Sequence, residues 1–317
     1  MADTAVLLLA YGSPETPDQV EPYFTHIRGG RVPSPEAVAH LKHRYQLIGG
    51  RTPLLDVTTE TARALQATLD RQAPGVFRAF VGMKHWHPYI SDAVKAIGAE
   101  GYRRLIAIIL APHFSDLGRG NYRDYLDAAV RALPSPIEVT LVEGWSDRPE
   151  FIGMMADLAR AGIASFPAAT PDSITVVFSA HSLPTRLRDR NERYLDDLRA
   201  SCEAVAAEAA IRTWRFAWQS AGATGEPWLG PDLIETLGAL RAEGVRRVLS
   251  VPIGFVSDHL EVLYDIDCEA AARARDLGIE LHRTAMPNAS PPLIATLAGV
   301  VAAAARGPSV ATGAAVR

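Results

Sequence analysis

Glu261, Asp265 and Glu269 follow one another at four-residue spacing just after the apolar stretch Val248-Leu-Ser-Val251. On a 3.6-residue helix such positions form one slowly drifting stripe. Like charges at this spacing oppose each other by about a few tenths of a kcal/mol, so the stripe works against helix stability. Two readings fit. Glu261 can close a capping box opened by Asp258, leaving a solvated acidic face. Alternatively, the carboxylates form a track for a hard or borderline metal ion at the mouth of a cleft.

His181, in Ser179-Ala-His-Ser-Leu-Pro184, can complete such a site. A lone histidine in a turn often satisfies only its own hydrogen bonds. One imidazole and one carboxylate from separate strand ends, however, suit ferrous iron, zinc or a proton relay. The loop Lys84-His85-Trp86-His87 offers a His-x-His pair for a metal and a lysine for an anion, but no obvious third ligand. Arg28, Arg31, Arg44 and Arg51 are either solvated surface or carboxylate clamps, since a guanidinium binds a carboxylate as a fork. Trp228 either walls an aromatic pocket or packs a loop. Without a G-x-S-x-G elbow, Ser179 and Ser182 are poor nucleophiles. Gly118-Arg-Gly120 lacks the third glycine of a dinucleotide fingerprint, and there is no P-loop.

These residues need strands to position them. Short apolar runs at 6–10, 77–83, 104–110, 137–142, 174–180, 213–218 and 246–251, with a short strand near 279–283, alternate with helical segments. The expected helices run from Ser34-Pro35 to Gly49-Gly50, over 56–72, to about Ala99, to about Leu133, and over 149–164, 189–210, 231–243 and 258–276. A last helix is capped by Ser290-Pro291. Strand–helix alternation predicts parallel sheets with right-handed crossovers and ligands at the strands' C-terminal ends. An internal repeat supports two similar halves facing a cleft. Ala10, Tyr11 and Pro14 align with Ala180, His181 and Pro184. Ser115, Asp116 and Tyr122 align with Ser257, Asp258 and Tyr264, with Arg119 in the place of Glu261.

The 317 residues are 48% hydrophobic and 21% charged, enough for about two ordinary globular domains. A net charge of −4 argues against nucleic-acid binding. Two cysteines, Cys202 and Cys268, exclude a disulfide scaffold and any four-cysteine zinc or iron–sulfur site. Neither a signal-peptide core nor a transmembrane segment is expected, and a cytoplasmic location is. Residues 307–317 are expected to be a disordered tail.

The motifs Ser179-Ala-His-Ser-Leu-Pro184, Trp218-Gln-Ser220, Pro227-Trp-Leu-Gly-Pro231 and Phe255-Val-Ser-Asp-His-Leu-Glu-Val-Leu-Tyr264 resemble those of ferrochelatases, which insert ferrous iron into a porphyrin. The resemblance runs from Ala10 to Ala289. It implies two Rossmann-like α/β domains of the chelatase type, with parallel four-stranded sheets facing a central porphyrin cleft. The expected boundaries are 1–150 and 151–289, with a helix at about 290–306 packing back on the first domain. It further implies that His181 and Glu261 form the catalytic metal pair, with Asp265 and Glu269 as an acidic ladder behind the glutamate. Tyr11 resembles the coproporphyrin-using branch, where protoporphyrin-using relatives carry Asn-Leu-Gly or Asn-Met-Gly. In that branch the tyrosine is an axial ligand of the product's metal, and Arg28, Arg44, Tyr45, Thr52 and Tyr122 fall at porphyrin-contacting positions. Lys84, His85 and Trp228 are secondary candidates.

Gly29 departs from the pattern, which often has a second arginine, and Asn191-Glu-Arg-Tyr194 replaces the usual Asp-Pro-Tyr segment. The implied reaction takes Fe2+ as substrate, with no permanently bound cofactor and no iron–sulfur cluster. The implied protein is a monomer that hands its product transiently to another enzyme of haem synthesis. Protoporphyrin IX as substrate, chelation of another metal or tetrapyrrole, and a non-catalytic porphyrin carrier using Tyr11 remain alternatives.

Overall fold

The computed structural model describes residues 3–116, 121–167, 170–222 and 225–307. The expected tail beyond Gly307, and Arg119 of the repeat, lie outside them. Eight strands appear in chain order: β1 (Thr4–Ala10), β2 (Phe77–Met83), β3 (Arg104–Ile109), β4 (Glu138–Val142), β5 (Thr175–His181), β6 (Trp214–Gln219), β7 (Arg247–Val251) and β8 (Glu280–Arg283). They form two four-stranded sheets, ordered β2-β1-β3-β4 and β6-β5-β7-β8, and every pairing is parallel. The second half thus repeats the strand order of the first.

This order fixes where a site can form. In a doubly wound sheet, the crevice opens where successive connections leave in opposite directions. Here that point lies between β1 and β3 in one sheet, and between β5 and β7 in the other. Tyr11 follows β1, His181 ends β5, and the segment bearing Glu261 follows β7. The central strands are covered on both faces: every residue of β1 is buried, as its unbroken Ala-Val-Leu-Leu-Leu run requires.

Each sheet has one face of its own and shares the other. Leu7 and Leu9 of β1 pack with Ile90, Val94, Ile97 and Leu126 on one side of the first sheet. Val177 and Val248 pack with Leu237, Val262 and Ile266 in the second half. The largest core joins the halves: it includes Val6 and Leu8 of β1 together with Val176 and Phe178 of β5. The Pro291–Arg306 helix inserts Leu293, Leu297 and Val301 into it and packs on the Leu54–Gln72 and Pro149–Ala164 helices.

Two local expectations change. The segment between β1 and Ser34, where no helix was expected, contains one at Val20–Ile27 that ends at Arg28. The single helix expected over 258–276 is three pieces: an α-helical turn at Leu260–Leu263, a π-helical segment at Asp265–Ala270 and an α-helix at Ala271–Leu277. In the middle piece, the Glu269 N–H donates to the Tyr264 carbonyl five residues back, at 2.9 Å. A π-turn contains more than four residues, so side chains four apart fall short of a full turn instead of overshooting it. The drift of the carboxylate stripe therefore reverses across this segment. The capping box from Asp258 to Glu261 does not form. Asp258 is held by Asn288 through its N–H (2.8 Å) and its Oδ2 (2.7 Å), and His259 occupies the cap position.

The loop from β7 to Glu261 crosses β5 at Gly254. A Cβ there would lie 2.7 Å from Ala180 Cβ and 3.0 Å from Ala180 Cα, one residue before His181. Backbone cannot yield as a flexible side chain can. Gly254→Ala is therefore expected to cost about 1–3 kcal/mol of stability through overpacking, read as a lower urea midpoint. An unchanged midpoint would show that this crossing is loosely packed.

Candidate active site

Glu261 stands between two imidazoles. His181 Nε2 lies 3.6 Å from its Oε1, and His259 Nε2 lies 3.6 Å from its Oε2. Both rings are anchored at the other nitrogen: His181 Nδ1 donates to the Ser182 carbonyl (2.5 Å) and His259 Nδ1 to the Ser257 carbonyl (2.9 Å). A carbonyl only accepts, so each Nδ1 carries a hydrogen. The His181 Nε2 is then the atom that loses or gains a proton, or that meets a metal.

The charges follow from this arrangement. Burial disfavours the charged form of His181, but the Glu261 carboxylate and the Ser182 carbonyl outweigh it, raising its pKa to about 9. Burial likewise opposes ionisation of Glu261, yet His181 and His259 hold it well below the usual carboxylate range. Without substrate, the pair is an imidazolium facing a carboxylate.

Gln219 fixes the spacing of that pair. Its carbonyl accepts from the Ser182 N–H (2.8 Å), its Oε1 from Ser179 Oγ (2.8 Å), and its Nε2 donates to the Glu261 carbonyl (2.7 Å). One buried side chain thus ties the strand of His181 to the segment of Glu261. Tyr194 OH donates to the His181 carbonyl at 3.1 Å, and the Trp228 ring lies 6.1 Å from the His181 ring. Trp228 therefore sits beside the pair, as a pocket wall requires.

The other sheet supplies the facing wall. Tyr11, 39% exposed, is the most accessible aromatic of the site. Gly12, with φ of +92°, brings the chain so close to Trp86 that a Cβ would meet its backbone nitrogen at 2.8 Å. The β1–β2 pairing continues into the loops, where the His85 N–H donates to the Tyr11 carbonyl at 2.8 Å. Burial raises the phenol pKa values of Tyr11 and Tyr122, followed by the charge of Glu261 for Tyr11 and by Tyr11 and then Glu261 for Tyr122. Both phenols are thus neutral and within electrostatic reach of Glu261, across from it.

The remaining expected residues divide. Arg44 does not project freely. It pairs with Asp265 Oδ1 across the two halves, with its guanidinium 4.5 Å from the centre of the Tyr264 ring. Asp265 also accepts from Ser220 Oγ at 2.5 Å, and burial raises its pKa to about 6 against the pull of Arg44. Glu269 is exposed. Tyr45 is 2% exposed and its hydroxyl meets Ser13 Oγ at 3.0 Å, so it braces the Tyr11 loop from behind. Thr52 is buried, and its Oγ1 has no hydrogen-bond partner. Arg28 is exposed at the end of its helix, while Arg51 is engaged by Asp56 at 2.9 Å. His85 turns to His26 (Nδ1 to Nδ1, 3.1 Å) and His87 to Tyr89, so the His-x-His pair does not converge. Among the described residues, no three His, Cys, Asp or Glu side chains gather to hold a metal. His181 and Glu261 are brought together, while Asp265 turns to Arg44 and Ser220 and Glu269 is exposed.

His259 and Gln219 were not singled out in the sequence. Residues two apart do not share a helix face, which hid His259 behind Glu261. It reaches the carboxylate because it precedes the helix in extended backbone, at φ −156°. Gln219 carries no chemical signal of its own beyond its place at a strand end.

Comparison with known proteins adds to this geometry. A model of the ferrochelatase family matches residues 3–305. A protein named ferrochelatase from Herpetosiphon aurantiacus is 45% identical over 300 residues, 95% of this chain and 98% of its own. One named coproporphyrin III ferrochelatase from Bacillus subtilis is 38% identical over 298 residues, 93% of this chain and 96% of its own. Among solved structures, SirB from Bacillus subtilis with Fe3+ has a TM-score of 0.61 over 96% of both chains at 10% identity, a likeness of fold alone.

The charged pair predicts a pH window for stability. His181 titrates above its unfolded value of roughly 6.5, so its contribution is full below that pH and lost as pH rises through about 9. The depressed Glu261 contributes above its unfolded value of roughly 4.3 and loses this as the solution acidifies. The difference in urea midpoint between the native chain and Glu261→Gln should therefore peak near about pH 5.5–6.5 and shrink as pH rises from about 6.5 through about 9. A difference that stays constant from pH 5 to pH 10, on the order of five units, would contradict the charge assignment.

Proposed function

The chain belongs to the ferrochelatase family, and on that footing we propose that it inserts ferrous iron into coproporphyrin III to give Fe-coproporphyrin III. The observation that carries the residue roles is the 3.6 Å approach of His181 Nε2 to Glu261 Oε1, opposite Tyr11. Support for coproporphyrin comes from Tyr11, which stands where protoporphyrin-using relatives carry Asn-Leu or Asn-Met ahead of the glycine. The name of the Bacillus subtilis relative points the same way.

The proton count sets the task. A free-base porphyrin holds two pyrrole N–H protons, and both leave as one Fe2+ enters. In the empty site His181 already carries a proton on Nε2. An approaching dication repels that charge and competes for the same lone pair, so the proton departs through Glu261, whose other oxygen faces His259 Nε2 at 3.6 Å. Neutral His181 then contacts the iron or accepts a pyrrole proton. Glu261 takes the second proton or steadies the metal. Asp265, with a pKa of about 6, exchanges protons readily near neutrality and lies next along the ladder towards exposed Glu269. Tyr11, on the first-half wall, would be the residue there to contact the metal of the product. Arg28, exposed and near the mouth, meets a peripheral carboxylate.

No described helix is long and apolar enough to cross a membrane, and both cysteines are free. We take the protein to be a cytoplasmic monomer that passes its product to a later step of haem synthesis.

The test is anaerobic Fe2+ insertion, followed as loss of porphyrin fluorescence, with coproporphyrin III and protoporphyrin IX in parallel. Multiple turnover is expected, faster with coproporphyrin. Preference for protoporphyrin would overturn the substrate reading, and binding without turnover would favour a carrier. Glu261→Gln is expected to lower kcat by about 100-fold or more. Arg28→Ala is expected to raise KM for the porphyrin by about 3- to 10-fold with a smaller change in kcat, because a rim carboxylate contact serves binding more than the transition state.

A further inference from the structure

The first-half wall contains a buried cation that forms no ion pair among the described residues. Lys84 is 5% exposed. Its ammonium lies 5.6 Å from the centre of the Tyr11 ring, 5.1 Å from Tyr122 and 5.9 Å from Tyr125, a cage of three aromatic rings. Ring faces attract a cation but do not neutralise it. The Asp124 carboxylate acts on it only at longer range, and no ion pair among the described residues includes Lys84. Desolvation wins over Asp124, and the lysine pKa falls to about 8.

Lys84 also lines a cavity of about 430 Å³ between the start of the Ile90–Ala99 helix and the Tyr122–Arg131 helix. Tyr89, Ser91 and Tyr125 bring hydroxyl-bearing side chains to it, and Ala128 and Ala129 give it an apolar side. Burying a lone charge is costly, and a structure that keeps one unpaired in a cavity is poised for an anion.

The position of this cation relative to the porphyrin edge is informative. Protoporphyrin has two carboxylates on one edge and two vinyl groups on the other, so it enters a cleft vinyl edge first, with its charges towards water. Coproporphyrin has carboxylates on that leading edge too. Arg28 is exposed at the end of its helix, whereas Lys84 is buried against the Tyr11 ring.

We infer that Lys84, in its cage of Tyr11, Tyr122 and Tyr125, receives a leading-edge carboxylate of the porphyrin, one that coproporphyrin carries and protoporphyrin lacks. The inference rests on the coproporphyrin reading. Discrimination then comes largely from rejection. Protoporphyrin would present a vinyl group to a buried ammonium and leave it unpaired, and sites built around a polar partner reject analogues that lack it more strongly than apolar pockets do.

The experiment measures dissociation constants of both porphyrins by quenching of protein fluorescence, for the native chain, Lys84→Met and Lys84→Arg. In Lys84→Met the preference for coproporphyrin III over protoporphyrin IX is expected to fall by at least about 10-fold. Lys84→Arg, which keeps the charge, is expected to retain most of the preference and guards against reading a folding defect as a binding effect. A preference ratio in Lys84→Met equal to that of the native chain would overturn the inference. So would Lys84-dependent binding of inorganic phosphate with no change in porphyrin preference, which would make the site one for a free anion. If the native chain itself shows no coproporphyrin preference, the substrate reading fails, and the inference with it, before any variant is compared.

Discussion

Glu261 is an ionised carboxylate only partly exposed to water, and much of the second half serves to hold it in place. Its charge is tolerable because an imidazole faces each oxygen at 3.6 Å. Those imidazoles can serve because their far nitrogens are tied to the Ser182 and Ser257 carbonyls. The spacing persists because Gln219 bonds both to the strand of His181 and to the backbone of Glu261. The close crossing of Gly254 over Ala180 sets the path of the chain between these groups.

From this charge a division of labour between the two walls follows. The second half concentrates exchangeable protons and carboxylates: His181, His259, Glu261 and Asp265. The first half presents neutral phenols and two cations suited to carboxylates, Arg28 at the rim and Lys84 within. A carboxylate-bearing macrocycle between the walls would meet cations at its edge and a proton acceptor at its centre. Arg44 is the exception, a first-half cation committed to a second-half carboxylate. That pair ties the Pro35–Leu47 helix to the π-helical segment, while burial raises the Asp265 pKa to about 6 against the pull of Arg44.

The fold was largely legible because its signals are local. The apolar runs of β1, β3, β5 and β7 announce strands covered on both faces. Ser34-Pro35 opened a helix where expected, with Ser34 Oγ accepting from the Ala37 N–H at 3.3 Å. The matched motifs after β1 and β5 reflect two sheets of the same strand order. Local signals also misled. Periodicity extended one helix from 258 to 276, because a four-residue carboxylate spacing cannot distinguish an α-turn from a π-turn. Asp258 looked like a cap, but Asn288, thirty positions away, claimed it instead.

The residue types of the His181–Glu261 pair, their places at strand ends and the parallel architecture were determined by the sequence alone. Each depends on neighbours within a few positions, or on a motif that fixes a turn. The tertiary structure decided who meets whom. Arg44 and Asp265 are 221 residues apart, and nothing local to either marks the other as its partner. Tyr45 reads as a contact residue beside Arg44, yet it turns inward to Ser13, since adjacent helical residues face different directions. Lys84 reads as a loop lysine that could hold an anion; only the convergence of Tyr11, after β1, with Tyr122 and Tyr125 of the Tyr122–Arg131 helix shows it as a buried cation among aromatic rings. Burial and charge pairing are properties of assembled surfaces, and a linear pattern records only what each residue can contribute to them.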